Sequence, residues 1–167
     1  MDNQVLQRNG RNVCEVTLSG RCSVDGPLQV SAMRNGRAIQ GFAAKSIGRV
    51  SGREFRCKLK GIPVGGPYGI TLKVIGSDEK LVFRNILVGD VWILSGQSNM
   101  VGVGRLKDAA KSQRLVRAFY MNDRWDIARD PIHNFHQAVD QIHIDLYGGG
   151  PILPSNHVGT GPGVAFR

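Results

Sequence analysis

Acidic side chains are scarce in this chain: 13 Asp and Glu stand against 22 Lys and Arg, a formal net charge of +9 over 167 residues. The imbalance is local. Residues 1–88 hold 14 basic and 6 acidic side chains, net +8, whereas residues 89–167 hold 8 and 7, net +1. A field of that sign concentrates anions such as an acidic glycan, although a solvated basic surface with no partner is the plainer reading. Nucleic acid is a poor partner class, because the basic residues are dispersed through strand-like segments instead of running together or interleaving with aromatics. Cysteine is also rare. Cys14, Cys22 and Cys57 form an odd set with no C-x-x-C pair, which argues against a zinc site and a dense disulfide framework. Cys14 and Cys57 sit in alternating segments and read as small core residues, while one disulfide among the three stays open. No apolar run nears the roughly 18 residues of a membrane span. The first residues carry no apolar h-region, so the sequence as it stands shows neither a membrane segment nor a signal peptide. With no low-complexity tract either, the composition is that of a folded protein, one domain or a small domain plus part of another.

What is present begins with alternation. Val13 to Ser19, Leu28 to Met33, Phe55 to Lys60, Tyr68 to Val74 and Leu81 to Ile86 each alternate apolar and polar residues, giving at least five strands at the spacing of a β-sandwich. Gly20 to Pro27 supplies a turn, Asn35-Gly36 a favoured hairpin dipeptide, and Gly61 to Pro67 a breaker cluster. The boundary of this part falls near Ile86 to Gly89. The apolar run Val91 to Leu94 then predicts a buried strand that breaks into the turn Ser95-Gly-Gln-Ser-Asn99 with Ser98 at its tip. Asp108 to Arg114 is helix-compatible and Leu115 to Met121 reads as a second strand, an order that suggests a parallel, doubly wound sheet. Asp123 to Pro154 shows no clean period and reads as a long loop region.

A serine on a strand-to-turn tip is where an ester hydrolase places its nucleophile. The turn has the logic of a nucleophile elbow without its second glycine, since it reads Gly-x-Ser-x-Met. The whole stretch Val88-Gly-Asp-Val-Trp-Ile-Leu-Ser-Gly-Gln-Ser-Asn-Met100 resembles block I of the SGNH hydrolases, specifically the sialate O-acetylesterase-like carbohydrate esterases. Val158-Gly-Thr-Gly-Pro-Gly-Val-Ala-Phe166 resembles the family's block II. The text Gln4-Val-Leu-Gln-Arg8 is similar to the start of the β-sandwich that often precedes the catalytic domain.

The resemblance implies a β-sandwich over residues 1–87, of jelly-roll or immunoglobulin-like type, followed over 88–167 by the start of an α/β domain. That domain would be an SGNH, flavodoxin-like three-layer hydrolase domain, present incompletely. It implies Ser98 as nucleophile and first oxyanion donor through its own N–H, and Gly161 or Gly163 as a second donor, where a side chain would obstruct the acyl group. Gln97, Asn99 and His157 are the implied substrate contacts. The implied reaction removes O-acetyl groups from a carbohydrate through an acetyl-Ser98 intermediate, with no metal or organic cofactor. Relatives are often secreted or periplasmic.

The family's block III asparagine and its Asp-x-x-His base pair normally lie beyond block II, whereas this sequence ends at Arg167. The expectation is therefore a fragment, weak or inactive alone, whose sheet a further C-terminal segment would complete. Two Asp-x-x-His strings, Asp130 to His133 and Asp140 to His143, precede block II and read as cleft-lining family sequence, not as a relocated dyad. His133, His136 and His143 lack the spacing of a helical metal motif. Competing readings are an acetylxylan- or pectin-type deacetylase, and a non-catalytic module whose basic sandwich holds an acidic glycan.

Overall fold

The computed structural model describes residues 1–96, 100, 105, 107, 109–134 and 137–146. The chain divides into two units, Met1–Val91 and Trp92–Arg167. The first unit is almost wholly β. Its strands are β1 (Val5–Gln7), β2 (Val13–Arg21), β3 (Gly26–Arg34), β4 (Arg37–Ala38), β5 (Lys45–Val50), β6 (Glu54–Pro63), β7 (Gly65–Val74) and β8 (Lys80–Gly89). One sheet runs in the order β1-β8-β7-β3-β4, with β5 also paired to β3, and β2 pairs with β6 in a second. The β1–β8 pair is parallel and the rest are antiparallel.

Each alternating run lies within a strand because period-two patterning points one side-chain set to a single face. On β3, Leu28, Val30 and Ala32 are buried, and on β7 so are Tyr68, Ile70, Leu72 and Val74. Cys14 from β2 and Cys57, Leu59 and Ile62 from β6 enter the same cluster, so both sheets share one core. All three cysteines are free thiols, and Cys14 and Cys57 are buried. Full burial of such side chains stabilises by roughly 1.5–3 kcal/mol each.

The Asn35-Gly36 dipeptide closes β3 onto β4 with φ of 49° and 75°, the double positive pair of a type I′ turn. The glycine-proline cluster behaves differently from a simple breaker. Gly61, Gly65 and Gly66 have φ of 96°, 125° and 125°, and that freedom lets β6 and β7 follow one another across Val64 alone. Strands β1 and β5 were not visible as strands in the sequence.

In the second unit the described strands are β9 (Arg117–Phe119) and β10 (Trp125–Ile127), which pair antiparallel, and the one described helix of six residues is α1 (Gln141–Leu146). The segment Leu115 to Met121 thus contains a strand, but its partner is a hairpin neighbour and not a parallel strand. Residues 109–113 form no helix, and the stretch 123–154 holds β10 and α1 where a loop was expected. Among the described residues no helix is long and apolar enough to cross a membrane.

Candidate functional site

The path to Ser98 starts at the end of β8. Leu87 and Val88 are buried, and Leu6 and Gln7 of β1 run beside Val88 and Gly89. There the ladder stops, because side chains take over its bonding groups. The Gln7 Oε1 accepts the Val91 N–H at 2.7 Å, and the Arg8 guanidinium donates to both Asp90 oxygens at 2.9 and 3.0 Å. Arg8 also donates to Asn12 Oδ1 at 2.6 Å, so its fork is held from two sides. A bidentate Arg–carboxylate pair fixes direction as well as distance.

Beyond this clamp the expected buried strand is absent. Val91 to Leu94 lies outside any strand or helix, with Trp92 73% and Ile93 92% exposed. The reason is pairing: a strand buried on both faces needs hydrogen-bonded neighbours, and the described residues offer this segment none. A Cβ placed on Gly96 would overlap the Cγ of the Met100 side chain, which would have to take another rotamer to admit it.

Gln97, Ser98 and Asn99 lie outside the described residues, as do His136, His157, Gly161 and Gly163. The flanking histidines are described. The His133 Nδ1–H donates to the Met100 carbonyl at 3.0 Å, which ties the loop after Asp130 to the residue two beyond Ser98. His143 makes a different contact. Its Nδ1 lies 2.7 and 2.8 Å from the two Asp140 oxygens, and its backbone N–H donates to Asp140 Oδ1 at 3.1 Å. Asp140 is therefore the N-cap of α1 and its carboxylate also orients the imidazole. These bonds from His143 hold the Asp140 carboxyl below its ordinary range. With Nδ1–H committed to the carboxylate, the basic lone pair of the neutral ring is on Nε2.

The sequence singled out Asp140 to His143 as an Asp-x-x-His string, but not the helix that brings the two side chains together, because the stretch from Asp123 showed no helical period. The signal was an Asp followed three residues later by a residue of the same first turn, an N-cap pattern obscured by the neighbouring Gly and Pro residues.

Tyr120 anchors the segment that leads there. Its hydroxyl lies 2.9 Å from the Ile127 carbonyl and 3.1 Å from that of Arg129, and it accepts the Arg129 N–H at 2.9 Å. Burial raises the phenol above its ordinary pKa, so it serves here as a neutral clamp. Among the described residues no three His, Cys, Asp or Glu side chains are placed to hold a metal ion.

Comparison with known proteins adds a family to this geometry. Residues 88–167 match the family model described as carbohydrate esterase, sialic acid-specific acetylesterase. Among solved structures, a carbohydrate acetylesterase from Xanthomonas citri is 26% identical, with a TM-score of 0.38; the match covers 65% of this chain and 21% of that one. No curated protein matches.

Proposed function

We propose that this chain, whose residues 88–167 match the sialic acid-specific acetylesterase family of carbohydrate esterases, removes O-acetyl groups from sugars with Ser98 as nucleophile. The observation that carries the reading is the match itself, which spans the Gly-Gln-Ser-Asn-Met turn at 96–100 and the Gly-x-Gly-Pro-Gly stretch at 159–163.

In this mechanism the Ser98 Oγ attacks the acetyl carbonyl and its proton passes to a base. The tetrahedral oxyanion is held by the Ser98 N–H and by the N–H of Gly161 or Gly163. Collapse expels the sugar alkoxide, which takes the proton from the base and leaves acetyl-Ser98. Water, deprotonated by the same base, releases acetate. Gln97, Asn99 and His157 contact the sugar. We read the first unit as the β-sandwich that accompanies an α/β catalytic domain of SGNH type, to which residues 88–167 contribute.

The identity of the base admits a second reading, favoured by one observation. Asp140 and His143 already stand as carboxylate and oriented imidazole, the relation a serine hydrolase needs between its orienting acid and its base. In that reading His143 Nε2 receives the Ser98 proton, where the sequence favoured a residue outside the chain. The His133 Nδ1–H donates to the Met100 backbone carbonyl and not to a carboxylate, so in this reading His143 is the histidine with an orienting acid.

The substrate is tested by acetate release from O-acetylated sialic acid against acetylated xylan. Preference for the first supports a sialate O-acetylesterase. Preference for xylan assigns a plant-polysaccharide deacetylase, and binding of either glycan without acetate release, unchanged in Ser98→Ala, assigns a glycan-binding module.

A further inference from the structure

The hairpin that joins β3 to β4 carries an electrostatic arrangement that the fold alone does not explain. Arg34 and Arg37 are Cα partners across the closing pair of the Asn35-Gly36 turn. Like charges directly opposite one another in an antiparallel pair destabilise it, so a hairpin built only for stability would carry a different residue at one position. No carboxylate of the first unit relieves them. Residues 1–91 contain seven Asp and Glu. Asp2, Glu15, Glu54 and Asp90 pair with other basic side chains, and Asp25 and Glu79 accept turn N–H groups. The seventh, Asp78, lies in the connection between β7 and β8. That connection is at the Val74 end of β7, beside Leu28, whereas the hairpin adjoins the Gly69 end, beside Met33.

The two arginines also line a cavity of about 510 Å³ together with Asn35, Ala38 and Ile39. Arg34 is exposed but is anchored at its tip. Its guanidinium sits beside the hydroxyl of the buried Tyr68, and its Nη1 would stand 3.5 Å from a Cβ on Gly65. Tyr68 is itself fixed by donating to the Pro63 carbonyl at 3.0 Å. Both guanidinium groups are exposed and line the same space, and that of Arg34 is also held against Tyr68.

We propose that this hairpin cavity binds the carboxylate of an acidic sugar between Arg34 and Arg37. A carboxylate accepts two charge-assisted hydrogen bonds at once and cancels the repulsion between the guanidinium groups. The cavity exceeds what an inorganic anion fills. Asn35 offers amide donor and acceptor for sugar hydroxyls, and Ala38 and Ile39 supply an apolar wall for a ring face. The site lies in the first unit and needs nothing from Ser98, so it stands apart from the esterase reading and shares with it only the carbohydrate class.

The test is titration of the full chain with N-acetylneuraminic acid, followed by calorimetry, with its methyl ester and inorganic phosphate as controls. Saturable binding is expected in wild type and in Ser98→Ala alike. It should weaken roughly tenfold or more for the methyl ester and in Arg37→Glu. Arg37→Glu places an opposite charge across from Arg34, so its melting temperature should hold or rise, which separates loss of binding from loss of fold. Hydrolysis of a small neutral acetate ester by Arg37→Glu should match wild type, so a failure of esterase activity and a failure of this site are read separately. Equal binding of acid and methyl ester, equal binding by Arg37→Glu, phosphate binding as tight as the sugar acid, or no saturation by roughly 10 mM ligand each overturns the proposal.

Discussion

Replacing Gly66 by alanine probes how β7 is fitted against the end of β8, the strand that delivers the chain to Asp90 and onward to Ser98. A Cβ at Gly66 would stand 2.6 Å from the Ile86 carbonyl oxygen, 2.9 Å from Leu87 Cδ2 and 3.3 Å from Leu87 Cα. The first and last of these are backbone and cannot rotate away. The residue also sits at φ 125°, a region L-residues rarely enter, which costs roughly 1–3 kcal/mol. Forcing a methyl group into a packed site costs roughly 1–3 kcal/mol more, so Gly66→Ala should lose about 4 kcal/mol. Gly76→Ala is the matched control. Its φ is 83° but nothing lies within 4 Å of the new Cβ, so about 1–2 kcal/mol is expected. The gain from restricting the unfolded chain is common to both and cancels. Urea unfolding of the full chain followed by far-ultraviolet circular dichroism measures the difference. Close agreement of the two variants, within roughly 0.5 kcal/mol, would refute the claim that backbone contact at Gly66 sets the approach of β7 to β8.

Three further outcomes follow from named contacts. Tyr68→Phe removes the donor to the Pro63 carbonyl in a buried setting and should lower stability by about 1–2 kcal/mol with an unchanged urea m value. Asp25 accepts the Arg53 and Gly52 N–H groups, and these bonds hold its carboxyl below the usual range. Its contribution is therefore present above the unfolded carboxylate pKa and is lost as pH falls through the lower folded value; Asp25→Asn should flatten the acid side of the stability–pH curve measured by thermal melts. Asp140→Ala removes the N-cap of α1 and should speed amide hydrogen exchange at residues 143–146, corresponding to roughly 1 kcal/mol of local opening, while leaving β9 and β10 unaffected.

The strands of the first unit were legible where one face is buried. Leu28, Val30 and Ala32, or Ile70, Leu72 and Val74, write a period of two directly into the sequence. Strand β5 was not legible, because Lys45-Ser-Ile-Gly-Arg-Val buries only Val50 fully and half-buries Ile47, too few apolar positions to show a period. The Val91–Leu94 run misled for the converse reason. Apolar content marks what a segment can bury, but whether it becomes a strand depends on hydrogen-bonded neighbours that no local pattern specifies. At the candidate site the serine turn was legible as a motif. The contact between Asp140 and His143 was not, since it depends on a short helix whose cap is visible only once the helix exists.

The proposed chemistry turns on Ser98, and the most direct test is exposure of the purified 167-residue chain to a small aryl acetate. Acetate release and intact-mass analysis would be recorded for wild type, Ser98→Ala and His143→Ala. Where the chain turns over, the expected result is an acetyl group on Ser98 in wild type and neither adduct nor release above solvent background in Ser98→Ala. Retention of the rate in His143→Ala places the base elsewhere, and its loss assigns His143 as the base. No adduct and no release from a folded wild-type chain would match the incomplete domain expected from the sequence, whereas acetate release above solvent background that is equal in wild type and Ser98→Ala would contradict the assignment of Ser98 as the nucleophile.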